Sequence, residues 1–356
     1  MKKKNKRPYI HITLLFSFLS LLLASPHILL NPNSTPSQDI KTQNSAVQEF
    51  RVMFYNVENL FDTYDDPKTL DDEFLPNGSM HWTTNRYYQH LRKTAQVISA
   101  IGEWDTPTLC GLCEVENDTV LTHLLKRTPL KEQHYNYCIT TGNDARGINI
   151  ALIYQRDKFQ YLGHASKRIT FKNERKRSRD ILHVWGNIIN GERLDVFVCH
   201  FPSRSGGEKE TEPDRIDAAM RLRALCDSLY HINPESNIII MGDFNDNPSD
   251  KSIQILINEA NLVHLFDDPK RLNYSGTHKF QGEWSQLDQM MVSAHFYKYL
   301  KAGSPRIYAA DFLLSKKDSR GEQSPLRVYT GPAYKGGYSD HLPVVVDFLI
   351  PLNGHD

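Results

Sequence analysis

The chain of 356 residues has no excess of either charge: 42 lysines and arginines balance 42 aspartates and glutamates, for a formal net charge of zero. No overall basic field draws such a molecule onto a polyanion. That argues against tight non-specific nucleic-acid binding, but not against an enzyme that holds its substrate briefly. Cysteine is scarce and odd in number, so the five residues cannot all pair within one chain. Four of them, Cys110, Cys113, Cys138 and Cys199, fall inside apolar runs that read as strands. "CGLC" at 110–113 has the spacing of half a zinc or redox site. On a strand, however, residues three apart point to opposite faces, and no second Cys/His pair of matching spacing completes a zinc site. These thiols are expected to be buried small hydrophobes. Also missing are an internal repeat and, beyond residue 50, any Pro/Ser-rich break. With 40% hydrophobic and 24% charged residues, the sequence is that of a globular protein with a substantial core, read here as one domain.

Long hydrophobic runs are confined to the N-terminus. There "MKKKNKRPY" precedes "ITLLFSFLSLLLA", the charged-then-apolar order of a secretory signal. No cysteine follows the run, which removes a lipoprotein anchor. "ASPHILL" lacks a clean small-x-small cleavage pattern and apolar character resumes after Pro26, so residues 1–30 read as a signal peptide or as an uncleaved N-terminal anchor. Residues 31–48, rich in Asn, Ser, Thr, Gln and Pro, read as a disordered linker, and 49–356 as the folded domain. Either reading exports the domain: periplasmic, secreted, or tethered to a membrane and facing outward.

After the linker, strand-like and helical patterns alternate. "TTNRYYQHLRKTAQVISAIG" carries Tyr88, Leu91, Ala95, Ile98 and Ile101 at helical spacing, with Thr84 as N-cap and Gly102 as stop. "PDRIDAAMRLRALCDSLYHI" places Pro213 at a helix start. Between such helices lie β-type runs, among them "FRVMFYNV", "TLCGLCEV", "RLDVFVCHF", "SNIIIMGDF", "SQLDQMMVS" and "LPVVVDFLI". The pattern predicts an α/β, four-layer sandwich: two mixed sheets packed face to face with helices outside.

Polar residues cluster at the ends of these strands, where α/β sheets hold ligands. They are Asn56 and Glu58, Glu114 and Glu116, His200, then Asp243, Asn245 and Asp246, and last Asp340 and His341. Singly, each is compatible with a turn or a solvated loop. Asp288 sits inside an apolar run, where an acid must be paired. Carboxylates and amide oxygens are hard ligands suited to Mg²⁺ or Mn²⁺, and the lack of a thiolate set argues against structural zinc. An imidazole held by a buried Asp is the arrangement of a general base. Metal, base and amide donors together suit attack of water on a phosphorus ester.

"YNVENLF", "GLCEVEN", "RGINIALIY", "HFPSRSGG", "GDFN" and "SDHLP" together, in this order, resemble the endonuclease/exonuclease/phosphatase superfamily, the DNase-I-like fold, in a bacterial exported branch. The resemblance runs from "FRVMFYNVEN" to "SDHLPVVVDF". It implies Glu114, Asn56 and Asp340 at the metal, with Glu114 the principal carboxylate. Asp243 and Asn245 would orient phosphate and nucleophile, His341 would activate water, Asp288 would hold the His341 ring, and His200 would contact phosphate or help the leaving oxygen depart. Arg146 and Arg179 fall where phosphate contacts are expected.

The resemblance leaves the substrate open. A nuclease, specifically an endonuclease acting as a monomer on nucleic acid, is the leading reading. The alternatives are a sphingomyelinase-like or inositol-phosphate esterase, and a non-catalytic binding protein on the same fold. "FKNERKRSRD" is a basic loop fit to meet a polyanion or simply to be solvated, and Tyr334, Tyr338 and Trp284 are candidates to stack on bases or to pack locally. The N-terminal pattern yields one direct expectation: cell fractionation should find the domain outside the cytoplasm, and a full-length cytoplasmic chain with residues 1–24 intact would refute it.

Overall fold

Alternating and continuous apolar runs assemble into two six-stranded sheets. The structure, a computed structural model, describes residues 46–103, 105–142, 144–173, 177–266 and 274–352. The signal or anchor assigned to 1–30, and the linker up to residue 45, therefore lie outside the described residues. Val47 and Gln48, assigned by sequence to the linker, instead begin the first strand, because the C-terminal strand offers them partners in Pro351 and Ile350.

Numbered in chain order, one sheet contains β1 (Val47–Leu60), β2 (Leu109–Val115), β3 (Tyr135–Ile139), β4 (Asn149–Gln155), β13 (Arg306–Ile307) and β16 (Val344–Pro351), in the spatial order β13-β16-β1-β2-β4-β3. The other contains β5 (Phe159–Lys167), β6 (Ile181–Ile188), β7 (Arg193–His200), β8 (Asn237–Asp243), β9 (Leu262–His264) and β12 (Asp288–Ser293), in the order β5-β6-β7-β8-β12-β9. Two hairpins stand apart, β10 (His278–Phe280) with β11 (Glu283–Ser285) and β14 (Tyr329–Thr330) with β15 (Ala333–Tyr334). Each sheet is mixed: β1 with β2 and β7 with β8 run parallel, and the remaining pairs are antiparallel.

Helices α1 (Thr84–Gly102) and α2 (Asp118–Lys126) pack with the first sheet, and α3 (Glu208–Ile232) and α4 (Lys251–Glu259) with the second. The period of two along β7 shows the layering. Val196 and Val198 join the core shared with the first sheet, while Phe197 and Cys199 join Ala218, Leu222 and Cys226 of α3. The four-layer prediction holds. All five cysteines are buried and free of disulfides, and Cys110 and Cys113 lead to different surroundings, one near the Tyr135 hydroxyl, the other near the Asp243 and Glu114 charges.

Boundaries shift by small amounts. The N-cap of α1 is Thr83, whose hydroxyl accepts from the Arg86 amide, and Tyr87 rather than Tyr88 is the buried tyrosine of its first turns. Helix α3 starts at Glu208, before Pro213. Arg215 holds the added turn by donating to the Glu208 carbonyl (2.9 Å) and the Thr211 hydroxyl (2.7 Å).

The sheets approach closely at Gly111, where an added Cβ would lie 2.6 Å from Met241 Sδ and 3.0 Å from Val198 Cγ1 of the opposite sheet. Gly111→Val should therefore destabilise the fold by about 1–3 kcal/mol through overpacking. A denaturant midpoint equal to that of the parent protein would show that the sheets can part there without cost.

Candidate active site

Backbone register aligns three polar side chains across the second sheet. His200 at the end of β7 pairs with Asp243 at the end of β8, and Asp243 pairs with Asp288 at the start of β12. Gly242 permits this approach, since a Cβ there would lie 2.5 Å from the Cys199 carbonyl oxygen. Beyond Asp243 the chain turns through Asn245 at φ 52°, whose amide N–H donates to Asp243 Oδ1 (2.9 Å) and whose side chain donates to the Phe201 carbonyl (3.1 Å).

The first sheet contributes where its central pair comes apart. Asn56 pairs with Cys113, but the next paired residues are Leu60 and Val115, so Val57–Asn59 bulge opposite Glu114. Glu114 takes φ 63°, a left-handed conformation uncommon for a residue with a Cβ. Its Oε2 accepts from the Asn59 amide (2.9 Å). Asn56 Nδ2 then donates to both Glu114 Oε1 (3.4 Å) and Asp243 Oδ2 (3.1 Å), tying one sheet to the other.

His341, just before β16, closes the arrangement. Its Nδ1 lies 2.7 Å from Asp288 Oδ2, and its Nε2 lies 3.8 Å from Asp243 Oδ2. Two hydroxyls fix the loop that carries it. Ser339 donates to the Asn56 carbonyl (2.7 Å) and accepts from the His341 amide (3.0 Å). Thr277 Oγ1 accepts from the Asp288 amide (3.1 Å), and its carbonyl accepts from the Leu342 amide (2.7 Å).

The electrostatics set the two histidines apart. Burial alone would lower the His341 imidazole, but the charges of Asp288 and Asp243 and the bond to Asp288 hold it well above the ordinary histidine range. For His200, burial and the Arg179 and Arg146 charges act in one direction and hold it well below that range. Burial pushes the Asp243 carboxyl up to about 7, with Asp288 adding to the rise and His341 opposing it.

The structure thus brings together Asn56, Glu114, His200, Asp243, Asn245, Asp288 and His341, and Arg146 and Arg179 stand nearby. Both arginines meet on Asp144, at 3.7 and 3.2 Å, and Arg179 also donates to the Phe201 carbonyl (2.9 Å). Two expected metal ligands are placed differently. Asn56 turns its nitrogen toward the carboxylates because its Oδ1 accepts from the Glu58 amide (3.0 Å). Asp340 bonds Arg327 (2.8 Å) and lies 3.9 Å from His278 Nε2, and it groups with His278 and His341 rather than with Glu114. Asp246 is structural, bonded to Arg215 (2.7 Å) and Ser252 (2.6 Å).

Glu58, grouped by sequence with the strand-end polar residues, joins the surroundings of the site, while sequence reasoning missed His278, Arg327 and Thr277 outright. Glu58 is buried and accepts from the Val328 and Tyr329 amides (2.7 and 3.2 Å). Burial and the Asp340 charge push its carboxyl up to about 8. Its place in the "NVEN" strand end was the available signal; His278 and Arg327 had none. Tyr334 and Tyr338 pack on α1 beneath Arg86 and Lys93. Residues 174–176 of the basic loop lie outside the described residues.

The sequence profile of the Endonuclease/Exonuclease/phosphatase family matches residues 51–349. The chain belongs to that family. Its members are phosphoric ester hydrolases, and this chain is one by membership. No curated protein matches it. Similar solved structures include a family protein from Bacteroides thetaiotaomicron (16% identity, 88% of this chain and 99% of that one, TM-score 0.55). Another is a mannosyl-6-phosphatase from the same species (18% identity, 84% and 99%, TM-score 0.55). A third is truncated TDP2 from Caenorhabditis elegans (16% identity, 84% and 97%, TM-score 0.53). At these identities the likeness is one of fold.

Within this family member the 2.7 Å Asp288–His341 pair can be tested directly. Asp288→Asn keeps the size of the side chain, and the imidazole can shed its proton, so no uncompensated charge remains and melting should change modestly. Turnover should fall at least about a hundredfold, because the amide favours the wrong ring tautomer. The acidic limb of the pH–rate profile should move to lower pH, since the charge that raises the His341 imidazole is gone. A large loss of melting temperature with turnover per folded molecule intact would make Asp288 a packing residue only.

Proposed function

We propose that the protein is a divalent-metal-dependent phosphodiesterase that cleaves nucleic acid by water activated at His341. The observation that carries the reading is the Asp288–His341 pair, with Nδ1 committed to the carboxylate and Nε2 directed toward the Asp243 side of the site. A neutral imidazole in that tautomer accepts a proton from water at Nε2 as the water oxygen attacks phosphorus. The P–O ester bond breaks, and the departing oxygen takes up a proton. Arg179 and Arg146 supply positive charge for the phosphate, and His200, kept neutral by burial, offers a hydrogen bond rather than a charge.

Mg²⁺ or Mn²⁺ fits the donor set. Glu114 and Asp243 converge on one Asn56 nitrogen, and among the described residues neither carboxylate has a lysine or arginine ion pair. Burial, with the Asp288 charge adding to it, raises the Asp243 carboxyl, and a bound cation would favour its ionised form. Glu114 and Asp243 would hold the ion, with Asn56 and Asn245 beside them. When bound, it would polarise the phosphate and offset its charge.

Trp284 supports nucleic acid as substrate. With Tyr274, His264, Asn247 and Gln286 it lines a cavity of about 470 Å³, and Asn247 follows Asn245 by two positions. An aromatic wall beside a phosphate site suits a base. A second reading rests on a polar cavity of about 590 Å³ lined by Thr140, Thr141, Asp144, Asn149 and Asn117, which would suit a phosphorylated sugar. Chelation should abolish turnover and Mg²⁺ or Mn²⁺ restore it, while Glu114→Gln should weaken the metal titration. Given DNA, RNA, sphingomyelin, inositol phosphates and mannose 6-phosphate, the protein should cleave a nucleic acid fastest. Turnover of the sugar phosphate alone would replace the first reading by the second, and full activity in chelator would refute the metal.

A further inference from the structure

A second set of metal-competent side chains lies beside the reaction site, with a different chemistry. One ligand atom from each of His278, Asp340 and His341 falls within 4.8 Å of the others. His278 belongs to the β10–β11 hairpin and forms an isolated β-bridge with His341. Their rings lie 4.7 Å apart at an interplanar angle of 38°. His278 Nε2 is 3.9 Å from Asp340 Oδ2. His341 also belongs to the neighbouring group of Asp243, Asp288 and His341, whereas His278 and Asp340 stand outside it.

We propose that His278, Asp340 and His341 form a site for a divalent transition-metal ion of the Zn²⁺ class, and that filling it withdraws His341 from catalysis. Two imidazoles, borderline ligands, beside a single carboxylate favour such ions, whereas Mg²⁺ and Ca²⁺ prefer all-oxygen sets such as that around Glu114. Three protein ligands with remaining positions open is a common zinc arrangement. The supporting bonds are in place. Asp288 pairs with His341 Nδ1 at 2.7 Å, leaving Nε2 as the nitrogen that would ligate once the ion displaces its proton, and Arg327 donates to Asp340 Oδ2 at 2.8 Å. A carboxylate behind a ligating histidine and a hydrogen bond behind a ligating carboxylate are the usual outer partners of a metal site.

The consequence for activity follows from a single atom. An imidazole nitrogen that donates its lone pair to a metal cannot accept a proton from water. Oxygen-liking and nitrogen-liking metals would then act in opposite senses, the first supporting hydrolysis and the second halting it. The inhibitory half rests on the reading of His341 as the base; the binding half does not.

Calorimetric titration of the full chain with Zn²⁺ in saturating Mg²⁺ tests the site, and assay of the same samples tests the consequence. The parent protein should bind one Zn²⁺ with loss of turnover. His278→Ala should bind it more than about a hundredfold more weakly, beyond the loss expected from an outer partner, and lose turnover no further as Zn²⁺ is added. His278→Phe, which preserves a ring against His341, should behave the same way and guards against a folding artefact. Zn²⁺ affinity unchanged in both variants overturns the site. Weakened binding with inhibition retained overturns its link to His341. Should the protein prove inactive, calorimetry alone decides the site, and only the phosphodiesterase reading falls.

Discussion

A carboxylate with no exposed surface cannot remain charged without a partner, and Asp288 is such a group. Its bond to His341 joins the second sheet to the loop that enters the last strand of the first. Breaking a buried pair by removing one member typically costs about 3–5 kcal/mol when a charge is left stranded. An exposed pair such as Lys131–Glu132 contributes below about 1 kcal/mol. The comparison explains where polar precision is concentrated. Thr277 and Ser339, both buried, spend their hydroxyls and backbone groups on the segments that carry Asp288 and His341, rather than on general stability.

Around that pair the backbone departs from ordinary sheet geometry in a limited number of places. Glu58, Asn59, Glu114 and Asn245 all take positive φ, and each stands at the site or one residue from it. Positions of this kind cost free energy on the order of 1–3 kcal/mol apiece and persist only where the surroundings hold them. Here the holding groups are visible: the Asn56 oxygen fixes the Glu58 amide, Glu114 fixes the Asn59 amide, and Asp243 fixes the Asn245 amide. The side chains proposed for catalysis therefore also serve as clamps for the strained turns that present them.

Much of this was legible in the sequence. Val196, Val198, Phe197 and Cys199 announce a strand buried on both faces, and an acid at position 288 within an apolar run announces a buried partner. Strand-end position was enough to gather Asn56, Glu114, His200, Asp243 and His341. It could not show which way an amide turns, and Asn56 turns its nitrogen inward because a bulge three residues long puts the Glu58 amide on its oxygen. Nor could it show that Asp340 is claimed by Arg327, a residue in a stretch with no regular period. The extra turn of α3 before Pro213 had the same cause, since it depends on an arginine reaching backward. Long-range polar contacts leave no periodic trace, and those were the ones missed.

The division of the site between the two sheets bears on when the protein acquires its chemistry. Asn56 and Glu114 come from strands made early, His200, Asp243 and Asp288 from strands made later, and His341 from a position close to the C-terminus. No fragment that ends before the loop entering β16 contains His341, and none that ends before β16 can complete the ladder in which β16 pairs with β1. A nascent or truncated chain thus lacks part of the candidate site, which is complete only when the last strand takes its place beside the first.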